Sequence, residues 1–145
     1  MITADLRGRR VLVTGASSGI GFACVRVAAK AGAKVALNHL PDDARGPAAV
    51  AELRQAGFDV IAAPGDVADH PAAARMVGDA IAALGGLDHL VNNAGTSGVR
   101  EPVKIEDLDA ITDALWDAVL ATNLRGTFVC SRAAAAALKA AHGGI

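Results

Sequence analysis

Val11-Leu12-Val13-Thr14-Gly15-Ala16-Ser17-Ser18-Gly19-Ile20-Gly21 is the stretch on which the fold turns. Its short apolar run, ending in Thr14-Gly15, reads as a buried strand followed by a turn. Residues 20–31 read as a helix with Ile20, Cys24, Val27 and Ala28 on one apolar face and Gly32 just past its end. A Gly-rich turn between strand and helix is where a phosphate cradle must lie. Gly15 allows the tight turn, Gly19 lets backbone approach a pyrophosphate, and Gly21 lets helix and strand pack closely. The helix start then offers free N–H groups and a positive dipole end to the anion. The spacing is G-x-x-x-G-x-G, not G-x-G-x-x-G. Taken alone, the motif also fits an ordinary Gly-rich connection.

Working outward, strand and helix alternate. Residues 34–38 give a second strand closed by Pro41, and 45–56 a second helix stopped by Gly57. A third strand over 60–63 turns at Pro64-Gly65-Asp66. A third helix over 71–84 has Asp69 as N-cap and Gly85-Gly86 as its stop. Residues 87–92 form a fourth strand. Residues 108–141 are helical in composition, His142-Gly143-Gly144 end that helix, and Ile145 opens a fifth strand. This order predicts an α/β fold: a Rossmann-type, doubly wound parallel sheet with helices on both faces.

Two more segments fall at strand ends, where open α/β sheets bind ligands. Asn92-Asn93-Ala94-Gly95 closes the fourth strand, where amide side chains can tie loops together and support a ribose. Asp66-Val67 follows the third strand, where a carboxylate can accept from an adenine amino group. Each alone also fits an ordinary turn.

Composition narrows the class. With 52% hydrophobic and 20% charged residues and a net charge of -1, nothing electrostatic favours nucleic acid or a membrane surface. Cys24 and Cys130 lack metal-ligand spacing, so no metal is expected and a reducing cytoplasm is the preferred location. Thr14, Arg26, Lys30 and Lys34 interrupt the apolar stretch over 11–37, and the first ten residues lack a signal peptide's apolar run.

With three segments at successive strand ends, the chain resembles the short-chain dehydrogenase/reductases, most closely bacterial members similar to 3-oxoacyl-(acyl-carrier-protein) reductases. A fourth element, Thr122-Asn123-Leu124-Arg125-Gly126, belongs to the likeness. The resemblance implies an NAD(P)-dependent oxidoreductase moving hydride between a nicotinamide cofactor and a small-molecule ketone or secondary alcohol. It implies cofactor contacts at Gly15, Ser17, Ser18, Gly19, Ile20, Gly21, Asn38, His39, Asp66, Val67, Asn93, Ala94 and Gly95. Asn123 takes the place of the catalytic Asn that holds a proton-relay water; bottom-up, an Asn in mid-helix more often sits on a solvated face. A homo-oligomer, tetramer or dimer, is implied, with Trp116 packed on the buried side of its helix or at a subunit contact.

The chain departs from the family pattern in two ways. It has no Tyr, so the family's Ser, Tyr and Lys are expected beyond residue 145, and residues 1–145 read as the dinucleotide-binding part of a single-domain enzyme. The second strand also ends Leu37-Asn38-His39-Leu40, without the acid that reads the ribose of NAD. Asp42 and Asp43 are expected to point away, and no Arg or Lys is expected beside the Gly-rich turn. The missing acid tilts the choice between NADP and NAD towards NADP. Residues 96–111, with Ser97, Arg100 and Glu101, read either as a rim of the substrate cleft or as a surface loop. A non-catalytic nucleotide-binding or interaction protein is the alternative function. A methyltransferase using S-adenosylmethionine would want an acid ending the second strand and has no use for Asn92-Asn93-Ala94-Gly95.

Overall fold

The computed structural model describes residues 4–99, 101–104 and 106–145; Arg100, part of the suggested cleft rim, lies outside them. Four parallel strands, β1 (Arg10–Val13), β2 (Lys34–His39), β3 (Val60–Pro64) and β4 (His89–Val91), lie in the order β3-β2-β1-β4. Leu12 pairs with Ala36 on one side and Leu90 on the other. Strands apolar on both faces demand cover on both. Val11, Val13, Val35 and Leu37 pack against α1 (Gly19–Lys30) and α2 (Arg45–Gln55). Leu12, Ala36 and Leu90 face α3 (His70–Leu84) and α5 (Thr127–Ala141). The Rossmann-type arrangement read from the sequence is thus the one observed.

Capping follows the sequence at α3. Asp69 accepts from the Ala72 amide at 3.0 Å, and Gly85 closes the helix at φ 78°. Gly144 bridges to His89 in parallel, where the fifth strand was expected.

Three features differ from the reading. First, α1 buries Gly21, Val25, Ala28 and Ala29, while Ile20 and Val27 are 77% and 66% exposed. The helix is phased by Gly21, where a Cβ would collide with the Gly15 carbonyl and the Asn93 amide. Second, residues 108–141 are not one helix. A 3-10 turn at Leu108–Ala110 precedes α4 (Asp113–Leu120), which Thr112 caps through the Leu115 amide. A π-helical segment, Ala121–Gly126, then leads into α5. The wide turn has anchors on both sides: His70 Nε2 donates to the Ala121 carbonyl at 3.2 Å, and Gly126 lies so close to the Val67 carbonyl that a Cβ would stand 2.8 Å from its oxygen. Third, Trp116 is 58% exposed, not on a buried side.

The sheet's other end is clasped by charge. Buried Asp88 accepts from the Arg10 amide (2.9 Å), Arg10 Nε (2.7 Å) and Arg9 Nη1 (3.3 Å). Arg10 Nη1 also donates to the Gly85 carbonyl, so β1, β4 and the end of α3 share one network. The Arg10 guanidinium, chiefly, holds the Asp88 carboxyl down at about 2. A depressed carboxylate contributes stability above its unfolded pKa and loses it as pH falls through the folded value. The contribution, about 2 kcal/mol, should therefore fade between roughly pH 4 and pH 2. Asp88→Asn should lower Tm at pH 7 and flatten its decline between pH 4 and pH 2. A variant with the parent's acid profile would show that the clasp contributes nothing.

Candidate functional site

The turn between β1 and α1 is held from both sides. Gly15 and Gly19 adopt φ of 60° and 58°, a region in which glycine has no Cβ penalty. From β2, Asn38 Oδ1 accepts from the Gly15 amide at 2.9 Å and its carbonyl from the Ala16 amide at 2.7 Å. From beyond β4, Asn93 Nδ2 donates to the Thr14 and Gly15 carbonyls at 3.0 and 2.9 Å. Thr14 Oγ1 accepts from the Asn93 and Ala94 amides, both at 3.0 Å. The loop-tying expected of the Asn pair therefore falls to Asn93; Asn92 turns to α5 and donates to Ser131 Oγ at 3.0 Å. Ser18 occupies the α1 N-cap without a side-chain cap, and the first turn carries no acidic residue. Its amides remain available to an anion.

A cleft of about 430 Å³ opens over this turn. It is bordered by Gly15, Ser17, Ser18, Asn38, His39, Val67, Asn93, Ala94 and Gly95 among the expected residues. Gly19 faces an adjoining groove with Phe22 and Arg45, and Ile20 stands out to solvent. Gly21 lies beneath the turn. Asp66 does not border the cleft; its carboxylate accepts from the Ala68 amide at 2.8 Å. At the far end Asn123 makes a reciprocal pair with Thr96. Its Oδ1 accepts from the Thr96 amide and its Nδ2 donates to the Thr96 carbonyl, both at 2.8 Å.

Asn38 and His39 are 2% and 5% exposed. Asn38 Nδ2 donates to the Ala63 and Gly65 carbonyls at 2.9 Å each, so every donor and one acceptor of its amide are committed to backbone. His39 Nδ1 donates to the Leu40 carbonyl at 2.7 Å, and the ring packs against Gly46 so closely that a Cβ there would overlap it.

Two expectations are overturned beside the turn. Asp43 does not point away: the chain folds back through an Asp43 amide to Leu40 carbonyl bond at 3.1 Å. Its carboxylate then accepts from Ser17 Oγ at 2.7 Å. An Arg does sit beside the turn: Arg45 pairs with Asp43 at 2.9 Å, and its Nη1 approaches Ser18 Oγ at 3.5 Å. Arg45 first, then Ser17, hold the Asp43 carboxyl well below the usual carboxylate range. Sequence reasoning also passed over Thr14, Thr96 and Thr122; the Thr before the first Gly was the available signal for Thr14.

The short chain dehydrogenase family model matches residues 9–145. The chain belongs to the short-chain dehydrogenase family. It is 39% identical over 143 residues to an L-rhamnose 1-dehydrogenase (NAD(P)(+)) of Sphingomonas sp., covering 96% of this chain and 53% of that protein. It is 34% identical over 122 residues to a 3-oxoacyl-(acyl-carrier-protein) reductase of Staphylococcus aureus, covering 84% and 47%. A short-chain dehydrogenase of Burkholderia cenocepacia, solved in complex with NADP, superposes at a TM-score of 0.80 with 41% identity, covering 92% and 52%. This short-chain dehydrogenase chain spans about half the length of the relatives it matches. No helix among the described residues is long and apolar enough to cross a membrane.

Proposed function

We propose that this chain forms the dinucleotide-binding part of an NAD(P)-dependent oxidoreductase that transfers hydride between a nicotinamide cofactor and a small-molecule ketone or secondary alcohol. The observation that carries the reading is the turn over residues 15–21. Asn38 and Asn93 brace it, and Ser18, the N-cap of α1, borders the cleft with no side-chain cap on the helix start. A pyrophosphate fits amides with no carboxylate in the same helical turn. In this reading it rests over residues 17–19, with adenine near Val67, which borders the cleft where Asp66 does not, and the nicotinamide ribose near Asn93, Ala94 and Gly95. Asn38 shapes the cradle from below. The nicotinamide supplies the hydride acceptor and donor; the chain supplies position and a dry, fixed floor.

The reaction also needs a proton donor working near neutral pH. With no Tyr among these 145 residues, the proposal assigns the Ser, Tyr and Lys of the family to sequence outside them. Asn123, in the place of the family's catalytic Asn, is the catalytic residue the proposal assigns to this chain, beside Gly95 and Thr96.

A second copy of the chain is the proposed partner, as dimer or tetramer. Trp116, Leu120, Leu124 and Phe128 form an exposed stripe at intervals of four along α4, the π segment and α5. Asp113 and Asp117 flank its start, and Arg125 and Arg132 its end. An antiparallel copy would match apolar to apolar and acid to base. A cytoplasmic location is part of the same proposal.

The test is NAD(P)H absorbance with ketones and secondary alcohols in the complete protein, for the parent and Asn123→Ala. The parent should turn over. Asn123→Ala should lose on the order of 100-fold in kcat with cofactor Kd within about threefold, because a proton relay acts during transfer rather than binding. Tm should fall a few degrees as Thr96 loses two partners. Unchanged kcat would defeat the catalytic assignment, and a parent inert to all such substrates would defeat the oxidoreductase.

A further inference from the structure

Asn123 meets Thr96 from a turn that is wider than an α-helix. In the π segment over Ala121–Gly126 each backbone hydrogen bond closes one residue further on than in the helices at either side. Were the segment to tighten to α, the chain on one side of it would rotate by about 100° relative to the other. The α5 side is fixed, because Val129, Cys130, Ala134 and Leu138 are buried in the core shared with α3. The α4 side is not, since that helix buries none of its residues. Tightening would therefore swing α4 and the start of the segment, and break the register in which Asn123 pairs with Thr96.

Hydroxyls within the helical run do not prevent this. Thr122 Oγ1 donates to the Ala118 carbonyl at 3.3 Å, Thr127 Oγ1 to the Asn123 carbonyl at 3.0 Å and Ser131 Oγ to the Thr127 carbonyl at 2.7 Å. Each reaches back four residues, which an α-helix allows equally. The holds from outside come from the connection between β3 and α3. Gly126 lies against the Val67 carbonyl at one end of the segment, and His70 Nε2 donates to the Ala121 carbonyl at the other, at 3.2 Å. A carbonyl only accepts, so Nε2 carries its proton in either charge state of the ring. The ring starts from a fixed point: His70 is the first residue of α3, capped by Asp69 and followed by Pro71. Among the described residues, no other side chain from outside α4, the π segment and α5 bonds to the backbone of that segment. His70 does not border the cleft.

We propose that His70 is a positioning residue for Asn123. Its bond to Ala121 holds the wide turn open, and the turn sets the Asn123 amide against Thr96. The kinetic consequence rests on the oxidoreductase reading above; the placement of Asn123 does not.

The experiment compares His70→Ala, His70→Phe and His70→Gln with the parent. In the ¹⁵N-labelled chain it follows the Asn123 side-chain amide and the Thr96 backbone amide; in the complete protein it measures kcat, KM and NADPH Kd. Phe fills the space of the ring without a donor, so it reads the hydrogen bond even where Ala lowers Tm, and Gln restores an amide donor at about the reach of Nε2. In the Ala and Phe variants both signals should move, and the Thr96 amide should exchange with solvent on the order of 10-fold faster. kcat should fall on the order of 10-fold, with KM and NADPH Kd within about threefold. The Gln variant should return both signals towards the parent's and kcat to within about threefold of it. A merely structural His70 would lower Tm while leaving both signals and kcat where they are. That result, or a Gln variant as impaired as Phe, would overturn the proposal. A parent inert to ketones and secondary alcohols, with the signals moving as expected, would defeat the oxidoreductase and support the positioning.

Discussion

Gly19→Val should weaken dinucleotide binding by at least about 100-fold while the fold survives, a loss in keeping with blocking a preformed anion cradle. Gly19 stands at the first residue of α1 with φ at 58°, and a Cβ built there meets no protein atom within 4 Å. In the proposed function, the open space above it takes the pyrophosphate. A valine would place two methyl groups where the proposed pyrophosphate would approach the amides, and its own cost is the left-handed backbone, about 1–2 kcal/mol. Tm should fall by several degrees without loss of cooperativity. Gly21 is the internal contrast: its Cβ would strike the Gly15 carbonyl and Asn93, so substitution there damages the fold itself. NADPH affinity within threefold of the parent in Gly19→Val would show that the turn is not the cradle.

Asn38→Asp should cost about 3 kcal/mol or more and lower Tm by roughly 10 °C. The change installs the acid that a fingerprint for NAD would want. Asn38 is 2% exposed, and its Nδ2 supplies hydrogen bonds to the Ala63 and Gly65 carbonyls. A carboxylate has no donor to offer, so two carbonyls would lose their partner and face a buried negative charge across 2.9 Å. The tie from Asn38 to the end of β3 would be lost, while the acceptor for the Gly15 amide would remain. NADH affinity should not improve. An Asn38→Asp chain with the parent's Tm and tighter NADH binding would mean that this side chain faces ligand.

These two positions also show what local sequence can and cannot carry. The strand–turn–helix order and the α3 caps were legible because each depends on residues within a few positions, as with Asp69 and the Ala72 amide. The Gly-rich turn was legible because positive φ at Gly15 and Gly19 is a local demand. The phase of α1 was not, because a glycine carries no apolar side chain to mark the buried face, and its close contacts are the Gly15 carbonyl and Asn93, the latter 72 positions away. The break of the last helical stretch was hidden for the same reason. Asn123 reaches Thr96, and Gly126 approaches the Val67 backbone, and neither partner is a neighbour in sequence. Asp43 was misplaced because the residues beyond Pro41 were expected to point away from the turn, and the approach of Arg45 was missed with it. The turn after Leu40 instead brings it back to Ser17 and Ser18, making a charge pair part of the cleft.

The cradle is tested most directly by amide chemical shifts of the ¹⁵N-labelled chain during titration with NADPH. The amides of Ser17, Ser18, Gly19 and Ile20 should move furthest, with those of Val67, Ala94 and Gly95 following at the two ends of the cleft. Those of Arg10, Leu87, Asp88 and Gly144, at the opposite end of the strands, should stay where they are. Shifts centred on Arg10, Asp88 and Gly144, with the turn over residues 15–21 unmoved, would contradict the account.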